Sequence, residues 1–387
     1  MALTFKKESL EKDGQWLSSS IRLDQIDVLR GLAAMMVVLH HCWVHAGAYR
    51  CLGYEWFGHR AYLTNIYSYG YIGVDLFLVL SGFCLSWPFL NNPTRSFSWL
   101  TYAKKRLLRI WPTYLLTVSL LLVAGFLWRW FHFPITSQTP QTSPGFAELL
   151  GVRQVAAALT LQKTFLNSSF WSLCLEMRWY FVFPFVLLFA RRCSAWLLLP
   201  VALVLCALCP IPSNGPLKLL IYLPDFVAGV LVAEVHARAK FPLHQALKQY
   251  SLLGFSGFAV LCFFWLPGAF TPGRGGIPEA ALTTGLFFFL LLFALNSRER
   301  LSWPLRGLKS VGIFSYSLYL IHQPIIEASF ALLHTQTWAP LMQWMFWQTF
   351  FVLFLLGMGF LFYLAAEKPF LDAKLLLNVK AKMNPRN

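Results

Sequence analysis

Asp27-Val-Leu-Arg-Gly-Leu-Ala-Ala-Met-Met-Val-Val-Leu-His-His41 opens the first long apolar stretch of the chain and carries two ionisable groups on one stripe, Arg30 and His41. Eleven residues at about 100° each make almost three whole turns, so both side chains project from one helix face, roughly 16 Å apart along the axis. Ionisable groups are costly inside a bilayer and mark pathways or reaction sites there. A spanning helix with a cation at its edge and an imidazole near its middle is therefore a functional expectation as well as a structural one.

The rest of the chain makes the membrane reading general. It is 57% hydrophobic, 17% aromatic and only 12% charged, too apolar for a soluble globular surface. Windows of spanning length fall near 28–46, 70–90, 110–131, 171–190, 195–209, 217–235, 250–268, 279–296, 310–333 and 341–365. The expected fold is an all-α integral membrane protein of about ten transmembrane helices with both termini cytoplasmic. Residues 1–25 form a cytoplasmic N-terminal segment, 26–370 the transmembrane unit and 371–387 a cytoplasmic tail. The polar run Met1–Gln25 lacks the apolar core and small-residue cleavage site of a signal peptide, so the first span is expected to be retained.

A net charge of +16 raises the question of nucleic acid, but the basic residues lie in short clusters between apolar runs and form no continuous basic domain. Their placement reads as topology. With a cytoplasmic N-terminus, 24 of the 32 Lys and Arg lie inside. Seven remain outside (Arg50, Arg60, Arg129, Arg153, Lys163, Lys218 and Arg274), and Arg178 lies within a span. The shortest window, Ala195–Cys209, forms a tight hairpin with Leu217–Val235 around the proline-rich turn at 210–216.

Of eight cysteines, six fall in apolar spans, Cys193 flanks a cytoplasmic arginine pair and only Cys51 lies in an outer loop, which gives no disulfide framework. Cys206 and Cys209 make a Cys-x-x-Cys without nearby His or acidic partners, so no metal or redox role is expected. The outer segment from Phe133 to Gly151, rich in Pro, Thr and Ser, reads as a lid or a plain connection.

Polar residues gather on three helices. Asp75 lies about one and a half turns below the outer end of the second span, Glu176 and Arg178 lie at comparable depth in the fourth, and His41 is in the outer half of the first. An imidazole with two carboxylates at similar depth is what a buried acid/base site requires. Each carboxylate taken singly also suits a helix-to-helix hydrogen bond or ion pair. Arg106 and Arg109 share a helix face just before the third span, a spacing that grips phosphate or simply keeps the loop cytoplasmic. In the ninth span, His322 lies near the middle with Glu327 above it, and Pro324 frees a backbone carbonyl, which suits a cavity wall or an ordinary kink.

Arg30 with ten residues before His41, Gly73-Val-Asp-Leu-Phe-Leu-Val-Leu-Ser-Gly-Phe83, Arg106-Leu-Leu-Arg-Ile-Trp-Pro112, Trp171-Ser-Leu-Cys-Leu-Glu176, Ser315-Tyr-Ser-Leu-Tyr-Leu-Ile-His322 and Glu367-Lys-Pro-Phe370 follow one another in order. Together they resemble the successive signatures of the acyltransferase family 3 membrane proteins, over nearly the whole chain. The resemblance implies an integral-membrane enzyme that takes an acyl group, most often acetyl, from cytoplasmic acyl-coenzyme A. The group goes to a hydroxyl, commonly on a carbohydrate or glycoside outside the membrane. It implies His41 as the catalytic residue and Arg106 and Arg109 as the coenzyme A contacts.

On that reading Arg30 binds the donor or steadies negative charge, and Asp75 or Glu176 orients the His41 imidazole. His41 acts as general base or briefly holds the acyl group. Ser81, Trp171, Arg178, Tyr316 and His322 are expected to line the substrate cavity. Acetyl-coenzyme A is the expected donor, with succinyl-coenzyme A as the alternative, and no metal is expected. The partners are the acyl donor, a hydroxylated acceptor and the lipid bilayer of a bacterial inner membrane. Nucleic acid is not among them, and assembly into oligomers is left open. The rival class is a transporter or flippase using the buried charges as an ion relay, which leaves Arg106 and Arg109 without a task.

The charge count yields a direct test of orientation. A cysteine introduced at Asn214 should react with an impermeant thiol reagent added outside the cell, whereas one at Lys240 should react only after the membrane is opened. Reversed labelling would invert every assignment of side made above.

Overall fold

The structure, a computed structural model, describes residues 24–44, 53–56, 59–92, 94–133, 151–160, 166–209, 218–238, 243–265, 277–297, 301–333 and 335–371. The N-terminal segment up to residue 23, the outer segment at 134–150, the turn at 210–217 and the tail after 371 lie outside the described residues. Asn214 and Lys240 lie outside them too.

In chain order the elements begin with α1 (Asp24–Val44), the strands β1 (Gly53–Trp56) and β2 (His59–Tyr62), and a 3-10 segment, Leu63–Ile72. Next come α2 (Gly73–Leu90), α3 (Trp99–Trp130), α4 (Val152–Leu159), α5 (Phe170–Arg192) and α6 (Ala195–Ala207). Then follow α7 (Lys218–Ile221), α8 (Leu223–Arg238), α9 (Leu243–Trp265), α10 (Ile277–Asn296), α11 (Trp303–Ile313) and α12 (Ser315–Leu333). The last long helix contains α13 (Pro340–Met345) and α14 (Val352–Phe362), with π-helical turns at Phe346–Phe351 and Tyr363–Glu367.

The helical expectation holds in outline, with two differences of detail. Among the described residues the regular elements are helical apart from the β1–β2 hairpin, whose antiparallel register sets Gly53 opposite Tyr62. Strands of four residues carry too little alternation to be read from sequence. Each of the ten apolar windows falls on a helix, but among the described residues six helices are long and apolar enough to cross a membrane. These are Asp24–Val44, Ile66–Leu90, Trp99–Trp130, Phe170–Arg192, Glu279–Asn296 and Pro340–Leu371. Three of the other four fall short for identifiable reasons. Helix α6 has only 13 residues, α8 has 16 and buries Asp225, Glu234 and His236, and α12 carries His322, Gln323 and Glu327. The protein is a multi-pass integral membrane protein.

Lipid tails are as apolar as leucine, so helices in a bilayer associate by close packing and polar contacts. The broadest helix pair, α2 against α8, crosses where glycine faces backbone. A Cβ added at Gly82 would fall inside the carbonyl oxygen of Phe226, and one at Gly229 inside that of Val79. Beside this crossing, Trp179 of α5 stacks on Phe226 of α8, their rings 4.4 Å apart and 6° from parallel. Helix α1 approaches α11 in the same way, with Gly31 against the Leu308 carbonyl and Gly312 against that of Asp27. Lys309 Nζ closes this contact on Asp24 Oδ1 at 2.6 Å.

The final helix is tied in through its π-helical turns, whose extra residue per turn redirects side chains. At the first, Trp347 is wholly buried and its Nε1 donates to Thr335 Oγ1 at 3.0 Å. Gln348 Nε2 there donates to the Leu39 carbonyl of α1 at 3.2 Å. At the second, Glu367 turns inward and its Oε2 accepts from Ser317 Oγ of α12 at 2.6 Å.

Because the α2–α8 crossing leaves no room for a methyl group, Gly82→Leu or Gly229→Val should cost about 1–3 kcal/mol or more of stability. The readout is the fraction of monodisperse protein surviving a heating series in detergent. Gly257→Ala, where an added Cβ meets nothing within 4 Å, should leave the curve unchanged.

Candidate active site

A cavity of about 140 Å³ opens between α1, α2, α3, α5 and α12. Helical spacing explains its walls. Helix α2 contributes Val74, Phe77, Leu78, Ser81, Cys84 and Leu85, one face recurring every three or four residues, while α3 gives Arg106, Arg109 and Ile110. Helix α5 gives Ser172, Leu173, Glu176 and Tyr180, α12 gives Ser315, Tyr316 and Tyr319, and α1 gives Arg30. Pro112 follows Arg109 by three residues and Pro184 follows Tyr180 by four, so α3 and α5 each lose a backbone hydrogen bond close to the cavity wall.

Three guanidinium groups and one carboxylate, Glu176, face this space. Arg30 and Arg109 repel each other there, and Asp27 and Glu367 are the anions that offset the charge of Arg30. Glu176 Oε1 accepts from Tyr180 Oη at 2.6 Å. The Arg106 guanidinium lies against the rings of Tyr102, at 5.8 Å, and Tyr180, at 5.6 Å, which favour a cation through their π faces. Its Nε is buried and makes no hydrogen bond among the described residues. Tyr316 spans the wall, donating Oη to the Ile110 carbonyl at 2.9 Å. The cavity carries net positive charge and suits an anion.

His41 is not on the wall of this cavity, and it meets an imidazole. Its Nδ1 is 2.9 Å from Nε2 of His322, with the two rings edge to edge, their centroids 5.1 Å apart and their planes 20° from parallel. His322 Nδ1 in turn lies 2.8 Å from the Tyr319 carbonyl oxygen. Tyr319 thereby links the two regions, its side chain on the cavity wall and its backbone on the histidine pair. Its Oη donates to the Ser169 carbonyl, so Ser172 Oγ, 2.6 Å away, is the donor to Tyr319 Oη.

The carbonyl freed by Pro324 is that of Leu320, four residues earlier, and Asn167 Nδ2 donates to it at 3.0 Å. Asn167 Oδ1 also accepts from the Ser169 backbone N–H at 2.9 Å. Ser169 Oγ donates to Gln323 Oε1 at 3.4 Å and Gln323 Nε2 to Glu327 Oε1 at 2.9 Å. The start of α5 is stitched to α12 along this polar seam, which holds the cavity wall against the histidine pair.

Of the residues singled out by sequence, Arg30, Ser81, Arg106, Arg109, Glu176 and Tyr316 share the cavity. His41 and His322 form the adjoining pair. Asp75 is buried on α2 away from the cavity wall. Trp171 and Arg178 also lie off the wall. Trp171 receives Lys218 Nζ over its ring at 3.7 Å and has Tyr222 at 5.6 Å. His40, next to His41, bonds through Nδ1 to the Tyr67 carbonyl at 3.0 Å. Sequence reasoning assigned no role to Tyr319, Asn167 or Glu367. A charged residue inside the last apolar helix was the available signal for Glu367. Among the described residues no group of three or more His, Cys, Asp and Glu side chains could hold a metal ion.

Comparison with known proteins supplies the family. The acyltransferase-3 family model, described as an acyltransferase domain, matches residues 23–366. The "Exopolysaccharide production protein ExoZ" of Rhizobium meliloti (strain 1021) is 26% identical over 274 residues, 66% of this chain and 76% of its own. The "Putative membrane-bound transacylase BcsY" of Komagataeibacter xylinus is 26% identical over 337 residues, 83% of this chain and 77% of its own. No solved structure matches. With the matched region running from the start of α1 to the π-helical turn that bears Glu367, and with every cavity residue inside it, the chain belongs to the acyltransferase-3 family and is a membrane acyltransferase.

Proposed function

We propose that this enzyme moves an acyl group, acetyl as the expected one, from cytoplasmic acyl-coenzyme A to a hydroxyl of a carbohydrate or glycoside at the outer face of a bacterial inner membrane. The observation that carries the reading is the cluster of Arg30, Arg106 and Arg109 in one cavity, with the His41–His322 pair reaching that cavity's lining through Tyr319. Phosphates of coenzyme A bind Arg106 and Arg109 through charge-assisted hydrogen bonds, and the buried Arg106 Nε is a donor for one of them. The slender pantetheine arm then carries the thioester inward, so the acyl group crosses while its bulky carrier stays behind.

At the reacting end His41 takes the proton of the acceptor hydroxyl as its oxygen attacks the thioester carbonyl. The tetrahedral intermediate collapses by breaking the C–S bond, and the imidazolium returns the proton to the departing coenzyme A sulfur. General base action of this kind contributes about 10²–10⁴-fold. Arg30, on the same cavity as Arg106 and Arg109 and about 16 Å along α1 from His41, adds a third cation for the anionic donor. Glu176, with Tyr180 on one oxygen, and Glu367 behind the wall keep the three arginines from repelling one another apart. The four helices short of the six-span criterion complete ten crossings, with residues 26–370 as the catalytic unit and both termini cytoplasmic. Similarity to the exopolysaccharide production protein ExoZ supports a polysaccharide acceptor.

Purified protein in detergent should release free coenzyme A from acetyl-coenzyme A when a hydroxylated acceptor is present. His41→Ala should lower that turnover by about 100-fold or more with protein yield intact. Near-normal turnover in His41→Ala would remove it from the chemistry. Transport of a labelled substrate without thioester consumption would instead favour the ion-relay reading.

The donor end is tested separately by calorimetry. Arg106→Ala or Arg109→Ala should weaken coenzyme A binding by about 1–3 kcal/mol, the range for a lost charge-assisted hydrogen bond, while the neighbouring Lys104→Ala should not. Equal losses in all three would reduce the pair to a diffuse basic surface.

A further inference from the structure

We infer that His322 is the positioning residue for His41, fixing which nitrogen of His41 is basic and receiving part of its charge when it is protonated. The inference rests on the proposed role of His41 as the base, and it replaces a carboxylate with a second imidazole as the orienting group.

The argument is one of donors and acceptors. A backbone carbonyl accepts only, so His322 Nδ1, 2.8 Å from the Tyr319 oxygen, must carry a proton. His322 is wholly buried in α12, and its resting form is the neutral ring with one proton. A neutral ring with its proton on Nδ1 has its lone pair on Nε2. That atom lies 2.9 Å from His41 Nδ1, which must therefore be the donor. With its own proton held on Nδ1, neutral His41 has its lone pair on Nε2. A chain of two hydrogen bonds running from one carbonyl selects the His41 tautomer, the task a buried carboxylate performs in a serine hydrolase triad.

The surroundings fit a pair that takes up one proton and not two. Around it, α1 presents His40, 5.5 Å ring to ring from His41, whose Nδ1 is committed to the Tyr67 carbonyl and which is therefore protonated there. Helix α12 presents Tyr319, 5.5 Å from the His322 ring, and Glu327, whose carboxylate accepts from Gln323. The 3-10 segment presents Tyr71, 6.1 Å from His40 and bonded to Glu279 of α10, and α2 carries Asp75. The last helix meets α1 through the uncharged Gln348. When His41 takes the acceptor's proton, its Nδ1–H donates to the neutral Nε2 of His322, so the positive charge spreads over two rings. A second proton has no place on the pair without breaking the bond between them.

The test measures kcat for coenzyme A release against pH on full-length protein carrying His322→Leu, His322→Gln or His322→Glu, with coenzyme A affinity read in the same samples. His322→Leu should lower kcat by about 100-fold or more with donor KM within about threefold, because the tautomer is no longer held. His322→Gln, whose Oε1 accepts from His41 Nδ1–H, should recover kcat to within about tenfold of wild type. His322→Glu should move the acid limb of the profile up by about one pH unit, because an anion beside His41 favours its protonated form. Equal loss in Leu and Gln with an unmoved limb in Glu would overturn the inference in favour of mere packing. Should the Leu variant fail to fold, the Gln recovery and the Glu shift decide the matter alone. Inactive His41→Ala beside unaffected His322 variants would sink this inference while sparing the proposed function, whereas active His41→Ala would sink the function itself.

Discussion

Three guanidinium groups gathered on one cavity set the terms for the rest of this structure. Like charges so close repel one another, so Arg30, Arg106 and Arg109 require both a polar cavity and nearby anions. The fold supplies these from separate elements: Glu176 from α5, Asp27 from α1 itself and Glu367 from a π-helical turn in the last helix. Tyrosine faces take up more of the load at Arg106. Each supplier must be locked in place for the cluster to persist. The Asp24–Lys309 ion pair, the glycine contacts of α1 with α11 and the Ser317–Glu367 hydrogen bond do this. Packing around the cavity is thus in service of electrostatics, while glycine crossings such as Gly82 on Gly229 provide the close helix contact that burial of apolar surface cannot drive in lipid.

Much of this was legible from spacing alone. Arg30 and His41 share a stripe because eleven residues close three turns, and Arg106 with Arg109 share a face because three residues nearly close one. Helices α1 and α3 run through those positions, and Arg30, Arg106 and Arg109 reach one cavity while His41 pairs with His322 off its wall. Glu176, Ser81 and Tyr316 reach the same cavity for the same reason. What sequence could not tell was the partner of His41. It and His322 are 281 residues apart in the chain, and no local period links them. The carboxylates at similar depth were the natural guess, yet Asp75 lies off the cavity wall and Glu176 accepts a hydrogen bond from Tyr180. Trp171 and Arg178 were drawn to the site by proximity in sequence to Glu176. Arg178 is two residues from it, about 200° around the helix, and so points elsewhere. The β1–β2 hairpin and the π-helical turns were unreadable because each depends on a register that four to six residues cannot announce.

The charge of the site explains why a histidine pair serves in place of a carboxylate dyad. The cavity already balances three cations against few anions, and an additional buried carboxylate beside His41 would need its own compensation. A neutral second imidazole orients the first without adding charge to the resting site. The polar seam from Asn167 through Gln323 to Glu327 then keeps α5 and α12 in register, so the donor wall and the proposed base hold a constant separation.

The central claim is that the arginine-lined cavity is the acyl-coenzyme A site, and Cys84 reports on it directly. Cys84 is exposed on the cavity wall, and Cys193 is the other exposed cysteine among the described residues. In a Cys193→Ser, Cys51→Ser protein, alkylation of Cys84 by a small maleimide can be followed by intact mass. Saturating S-ethyl coenzyme A, a thioether with no competing thiol, should slow the reaction at least about tenfold, and Arg106→Ala/Arg109→Ala should lose most of that protection. Alkylation at one unchanged rate, with and without the ligand, would contradict the account.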